Sequence, residues 1–175
     1  RDVYAIEHCK KVLSEYSGRI IFKQQNFGDI KEIIQSEEFK KIDGIVALDD
    51  FDVEKGTYLR ENLRIDGMGQ TTGRYFRDKL AMRMRAKSCG ISNPNFCSLY
   101  NDHDINTFAD TVDAPWVLKP RSEASASGII KVYDKETLWI YINEMGNNRF
   151  KYLLEQFRPG DVYHCDSIVL DGKVL

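Results

Sequence analysis

Lys119 closes an apolar run, Trp116–Leu118, and is followed by Pro120 and then by seven small or charged residues, Arg121–Ser127, before Gly128. An isolated charge at the mouth of a buried strand is costly unless it is paired or put to use. The loop beyond it offers successive backbone N–H groups and the hydroxyls of Ser122, Ser125 and Ser127. Small side chains let such a backbone approach a ligand closely, and Gly128 can take a turn that other residues resist. Donors converging near an ammonium suit a polyphosphate. The G-x-x-x-x-G-K-[ST] pattern of a Walker loop is absent, and here the lysine precedes the loop. A solvated hairpin with a surface lysine accounts for the same residues equally well.

Two other stretches bear on that choice. In "RDKLAMRMRAKSCGI" a second lysine, Lys79, sits near a helix start, with Arg83 and Lys87 recurring every four residues. A solvated basic stripe is its plain alternative. In "LLEQFRPGD" Glu155 lies in a strand. Adenine presents a donor at N6 beside an acceptor at N1, which the Gln156 carbonyl and the Arg158 N–H of a strand edge could match. A structural ion pair of Glu155 with Arg158 or Lys151 is the alternative there.

The remaining chemically capable residues carry less. Val162, His164, Asp166 and Ile168 share one face of an expected strand, where a satisfied core histidine is the simpler reading; Asp166 has no assigned role. His8 and His103 read as surface residues. Asp49, Asp50 and Asp52 end a strand, a place where α/β folds bind ligands, but a solvated turn and helix cap explains them. Gly67, Gly69 and Gly73 form G-x-G-x-x-x-G, off by one from a dinucleotide fingerprint and without a leading strand, so they read as a turn before a helix.

These residues must be positioned by regular elements. Apolar spacing predicts helices over 5–16, 27–42, 53–63 and 72–89, the last with an apolar stripe of Phe76, Leu80 and Met84 and a stop at Gly90. Further helices are expected in "HDINTFADTV" and in "DKETLWIYINEM", the latter capped by Asp134. Strands are expected at 18–22, at Ile45–Leu48, in "NPNFCSLY", "PWVLKP", "GIIKVY" and "YLLEQF", and as one long strand in "VYHCDSIVL" before a hairpin turn at Asp171–Gly172. The early alternation of helix and strand is the pattern of a parallel α/β sheet.

The bulk properties frame this. The chain has 175 residues, is 42% hydrophobic and 30% charged, and carries a net charge of −2. That balance gives no basic excess for nucleic acid or anionic membrane, and no apolar run approaches a membrane span. Cys9, Cys89, Cys97 and Cys165 show no metal or disulfide spacing and are expected to be reduced, mostly buried thiols in a cytoplasmic protein. A start at Arg1 and an end just after a turn point to a piece of a longer polypeptide.

Taken in order, "RDKLAMRMRAKSCGISNPNF", "LKPRSEASASGIIKV" and "LLEQFRPGDVYHCDSIVLDGKV" resemble the ATP-grasp superfamily. The middle motif, with an acid four residues after the lysine, Ser at the sixth position and Gly at the ninth, is similar to the D-alanine–D-alanine ligase and biotin-carboxylase branches. The resemblance implies an α/β fold: a Rossmann-like pre-grasp domain over 1–69, then an incomplete ATP-grasp α+β domain over 70–175. It implies that Lys79 and Lys119 hold ATP phosphates, that Ser125 and Ala126 lie in a lid, that Glu155, Gln156, Phe157 and Arg158 clasp adenine, and that Asp161 takes the ribose. It further implies a carboxylate–amine ligase using ATP and Mg2+, with a small-molecule carboxylate as substrate and with metal ligands beyond residue 175. On that reading the segment alone is not catalytically complete. The alternatives are a non-catalytic nucleotide-binding module and an α/β interaction domain.

Overall fold

The computed structural model describes residues 35, 37, 42–123, 128–163, 165, 167, 169, 170 and 172–174. The elements expected over 5–16, 18–22 and 27–42 fall almost entirely outside these, as do His8, Cys9, Ser125, Ala126, His164 and Asp166. The described chain runs through a 3-10 turn (Asp50–Asp52), α1 (Val53–Leu63), α2 (Gln70–Arg77), α3 (Lys79–Ser88), β1 (Phe96–Ser98), α4 (Asp102–Thr111), β2 (Trp116–Pro120) and β3 (Ile130–Val132). It continues through α5 (Lys135–Met145), a second 3-10 turn (Gly146–Lys151), β4 (Tyr152–Gln156) and a short hairpin of β5 (Val169–Leu170) and β6 (Lys173–Val174).

β1 to β4 make a four-stranded sheet in the order β1-β4-β2-β3, antiparallel throughout. Period-two alternation gives the sheet two unlike faces. Trp116, Leu118, Val132 and Leu154 point to one side, where Leu99, Ile105 and Phe108 from the α4 region and Leu138 and Ile142 of α5 close the core. Leu118, Val132, Leu138 and Leu154 are fully buried, each contributing about 1.5–3 kcal/mol by leaving water. Both covering helices start on side-chain caps: Asn101 Oδ1 accepts from His103 N at 2.8 Å, and Asp134 Oδ1 from Thr137 N at 2.7 Å, the cap expected for α5.

The other face carries Lys119, Val117, Lys131 and Glu155. Val117 is the register partner of both Glu155 and Lys131, which lines these three up across β4, β2 and β3. The hinge of the β2–β3 hairpin depends on Gly128. Its φ is +70°, and an added Cβ would meet Pro120 Cγ at 2.9 Å.

Several expectations need correction. Residues 72–89 are not one helix, because Asp78 leaves helical geometry at φ −86° and ψ 108°. Its carboxylate accepts from Leu80 N at 3.0 Å and Ala81 N at 3.4 Å, so a side-chain cap replaces helix continuity. The break also rotates the expected apolar stripe. Leu80 is buried, but Phe76 and Met84 are about three-fifths exposed, at 60% and 59%. No strand forms over 45–48 among the described residues, and Val46 and Leu48 are exposed. Among the described residues of "VYHCDSIVL" only Val169–Leu170 is strand, with Val162 exposed rather than facing a core; Val169–Leu170 does pair with Lys173–Val174.

The described cysteines are not mostly buried. Cys89 and Cys165 are exposed and Cys97 is half-buried, all three as free thiols. Burial, then the nearby Asp104 charge, pushes the Cys97 thiol up to about 11, which leaves it unreactive. The glycines at 67–73 do form a turn before a helix: α2 starts at Gln70, and an added Cβ at Gly73 would meet Thr57 Cγ2 of α1 at 2.6 Å. Asp49 caps the first 3-10 turn by accepting from Phe51 N at 2.8 Å, and Lys55 pairs with Asp52 at 2.9 Å, as a solvated turn and cap would require. No helix among the described residues is long and apolar enough to cross a membrane.

Candidate functional site

The polar face of the sheet is organised around Glu155, which is only 4% exposed. A carboxylate this deep requires cations, and it has two. Lys119 Nζ donates to Oε1 at 2.8 Å from β2. Arg83, reaching from α3, donates Nε to Oε2 at 3.0 Å and Nη2 to Oε1 at 3.3 Å. Neither Arg158 nor Lys151, the partners first considered for Glu155, is involved; both are exposed.

Lys79 opens α3 beside this group. Burial first, then the Arg77 and Lys119 charges, push its ammonium below the ordinary lysine value, with Glu123 and Asp78 opposing. The contacts of Lys79 place it at the start of the β2–β3 loop, just beyond Lys119, although the two lysines are 40 residues apart in sequence. Lys79 Nζ donates to the Glu123 carbonyl at 2.5 Å, at the base of the β2–β3 loop.

That base is held by α2 and α3. Lys79 N donates to the Arg121 carbonyl at 2.8 Å, and Arg77 Nη2 to the Ser122 carbonyl at 2.6 Å. Arg121 returns a two-point ion pair to Asp78, with Nε to Oδ1 at 2.9 Å and Nη2 to Oδ2, and donates Nη1 to the Phe150 carbonyl at 3.0 Å. Burial pushes the Asp78 carboxyl up, but the Arg121 guanidinium and the amides of Ala81 and Leu80 outweigh it and hold the group below its usual value. The residue that breaks the helix is thus the residue that ties the Lys79 turn to the start of the β2–β3 loop.

The edge beyond Glu155 is equally defined. Phe157 N donates to the Pro115 carbonyl at 2.9 Å, and Gln156 N to the Asn95 carbonyl at 2.8 Å. In an antiparallel ladder successive residues face opposite neighbours, so the Gln156 carbonyl points to the β1 side, past the end of that strand. Lys131 Nζ lies 3.6 Å from the centre of the Phe157 ring, a cation–π contact that fixes the hinge aromatic against β3. Arg158 and Asp161 are exposed and stand outside this cluster of contacts.

Of the residues singled out by sequence, the structure gathers Lys79, Lys119 and Glu155, and places Gln156 and Phe157 at the adjoining edge. Arg83, Asp78, Arg121 and Lys131 were not anticipated. Arg83 had a signal: it lies four residues after Lys79 and so on the same helical face. Asp78 had one as well, since an aspartate directly before a basic helix turn is a cap.

The fold that carries this arrangement is found in known ligases. The D-alanine–D-alanine ligase of Bacillus anthracis matches with a TM-score of 0.61 at 22% identity, over 89% of this chain and 53% of that one. The N5-carboxyaminoimidazole ribonucleotide synthetase of Thermus thermophilus matches at 0.51 and 20%, over 66% of this chain and 30% of that one. These likenesses show the fold; the resemblance to the ATP-grasp ligases is carried by the sequence relatives as well.

Within that class the sequence relatives are ligases of amino acids. The D-alanine–D-alanine ligase of Neisseria gonorrhoeae is 29% identical over 109 residues, covering 62% of this chain and 35% of that protein. The L-arginine-specific L-amino acid ligase of Bacillus subtilis is 27% identical over 142 residues, covering 76% and 34%. The chain therefore spans about a third of the length of the curated relatives it matches. No protein-family profile matches it.

Proposed function

We propose that this chain holds ATP as the nucleotide-binding part of an ATP-dependent ligase. The observation that carries the reading is the placement of two lysines at the start of the β2–β3 loop: Lys119 Nζ lies 2.8 Å from the buried Glu155 carboxylate, and Lys79 Nζ donates to the Glu123 carbonyl. Two converging cations at the base of a hairpin suit a di- or triphosphate, and the Gln156–Arg158 edge suits the purine. On this reading Ser125 and Ala126 cover the phosphates and Asp161 is the candidate for the ribose hydroxyls. Residues 1–69 would form the pre-grasp domain and 70–175 the first part of the grasp domain.

For the whole protein the proposed chemistry is carboxylate activation. A carboxylate oxygen attacks the γ-phosphorus, ADP leaves, and an acyl phosphate forms. An amine then attacks the acyl carbon and phosphate departs. Such transfer depends chiefly on positioning and charge neutralisation. Magnesium would supply part of that neutralisation. Among the described residues no group of three His, Cys, Asp or Glu side chains could hold a metal.

The test is thermal melting with ATP. A ligand at a hundred times its dissociation constant stabilises by about 2.7 kcal/mol. A rise in melting temperature that disappears in Lys119→Ala is expected; an unchanged melting temperature in the unsubstituted protein contradicts nucleotide binding and favours an interaction domain.

A further inference from the structure

Glu155 is served by two cations that hold it in different ways. Lys119 touches one oxygen through a flexible stem, whereas Arg83 spans both with a planar fork. Side-chain exposure falls from 27% at Arg83 to 15% at Lys119 and 5% at Glu155, so the carboxylate is the innermost member. Stranding such a group without a counter-ion is strongly unfavourable. With Lys119 as sole partner, any anion recruiting that lysine would leave a buried carboxylate behind. With Arg83 in place, the lysine can turn away and the carboxylate stays paired at both oxygens.

We infer that Arg83 is a positioning residue that retains Glu155 when Lys119 turns to a phosphate, making the Lys119–Glu155 ion pair exchangeable. The inference rests on the nucleotide reading of the Lys79–Lys119 region and adds to it how the site releases its lysine. The charges support the exchange. Glu155 with Lys119 and Arg83 carries one net positive charge, and Lys79 adds a second nearby. A polyanion entering here meets uncompensated positive charge rather than a closed neutral pair.

The experiment measures affinity for inorganic tripolyphosphate, which engages the ammonium groups without the purine edge, alongside ATP. Arg83→Met is expected to weaken tripolyphosphate binding by about tenfold or more, because Lys119 is then held by an otherwise unpaired carboxylate. Adding Glu155→Gln to that variant removes the charge to be abandoned and should restore affinity to within about threefold of the unsubstituted protein. Arg83→Met binding like the unsubstituted protein, or a double variant as weak as Arg83→Met, overturns the inference; the second result would make Arg83 a direct phosphate ligand or a purely structural residue. If Arg83→Met does not fold, Glu155→Gln alone decides. Tripolyphosphate affinity equal to or tighter than that of the unsubstituted protein supports the exchange, and a loss of about tenfold overturns it. Lys119→Ala separates the two levels. If it leaves tripolyphosphate and ATP affinity unchanged, the nucleotide reading falls and this inference with it. If it weakens both while Arg83→Met does not, only the inference falls.

Discussion

The two faces of the antiparallel sheet are built from the same strands and do opposite things. Leu118 and Lys119 are neighbours in sequence, yet one is sealed among Trp116, Val132, Leu138 and Leu154 while the other meets Glu155 across the strand pair. On the α4–α5 face, burial of apolar surface supplies stability and leaves nothing to recognise a ligand. On the α3 face, charged groups are desolvated at a cost that ion pairing only partly recovers. A fold does not need a buried carboxylate with two cations to be stable. On the proposed reading, the α3 face is the one shaped for a charged partner.

The largest effect should come from the dry face. Leu118→Ala is expected to cost about 2–5 kcal/mol of stability, measured by denaturant unfolding. Lys119→Ala, one residue on, should cost clearly less because Arg83 still pairs Glu155, while abolishing nucleotide binding. Equal destabilisation by the two would erase the proposed distinction between the faces.

Next comes the β2–β3 hairpin. Gly128→Ala must accommodate both a positive φ and a 2.9 Å approach to Pro120 Cγ. A loss of about 1–3 kcal/mol is expected in the same unfolding measurement. A neutral result would mean that the β2–β3 connection does not hold this geometry.

The smallest effect is a pH dependence at the start of the β2–β3 loop. Because Asp78 is held below its ordinary value in the folded protein, its pairing with Arg121 stabilises fully above the unfolded aspartate pKa of about 3.9. That contribution is lost as pH falls through the lowered folded value. The stability difference between the unsubstituted protein and Asp78→Asn should therefore be greatest near neutrality and shrink in acid, as melting temperatures from pH 7 to pH 2 would show. A difference independent of pH contradicts the assignment.

Much of this was legible in the chain itself, and the failures have physical causes. The β2–β3 hairpin, the Asp134 cap, β4 and the α1 helix follow from local signals: apolar runs, a capping aspartate and helical spacing. Lys119 stands out because it ends an apolar run, whereas Lys79 and Glu155 are candidates through the order of the three motifs, since Lys79 alone fits a regular basic stripe. The pairing among them was not, since Glu155 takes partners 72 and 36 residues away. The break at Asp78 was masked because the residues on either side of it are compatible with one continuous helix. The aspartate is itself a local cap signal, and the tertiary ion pair to Arg121 adds to it. Residues 45–48 look like a strand in isolation, but a strand is defined by its neighbour, and none of the described residues pairs with them.

The most direct test is calorimetric titration of ATP into the unsubstituted protein, Lys79→Met and Lys119→Met. Saturable binding in the first, weakened by about tenfold or more in each of the others, is the predicted result. Equal affinity in all three would show that the two ammonium groups do not meet over a shared phosphate chain.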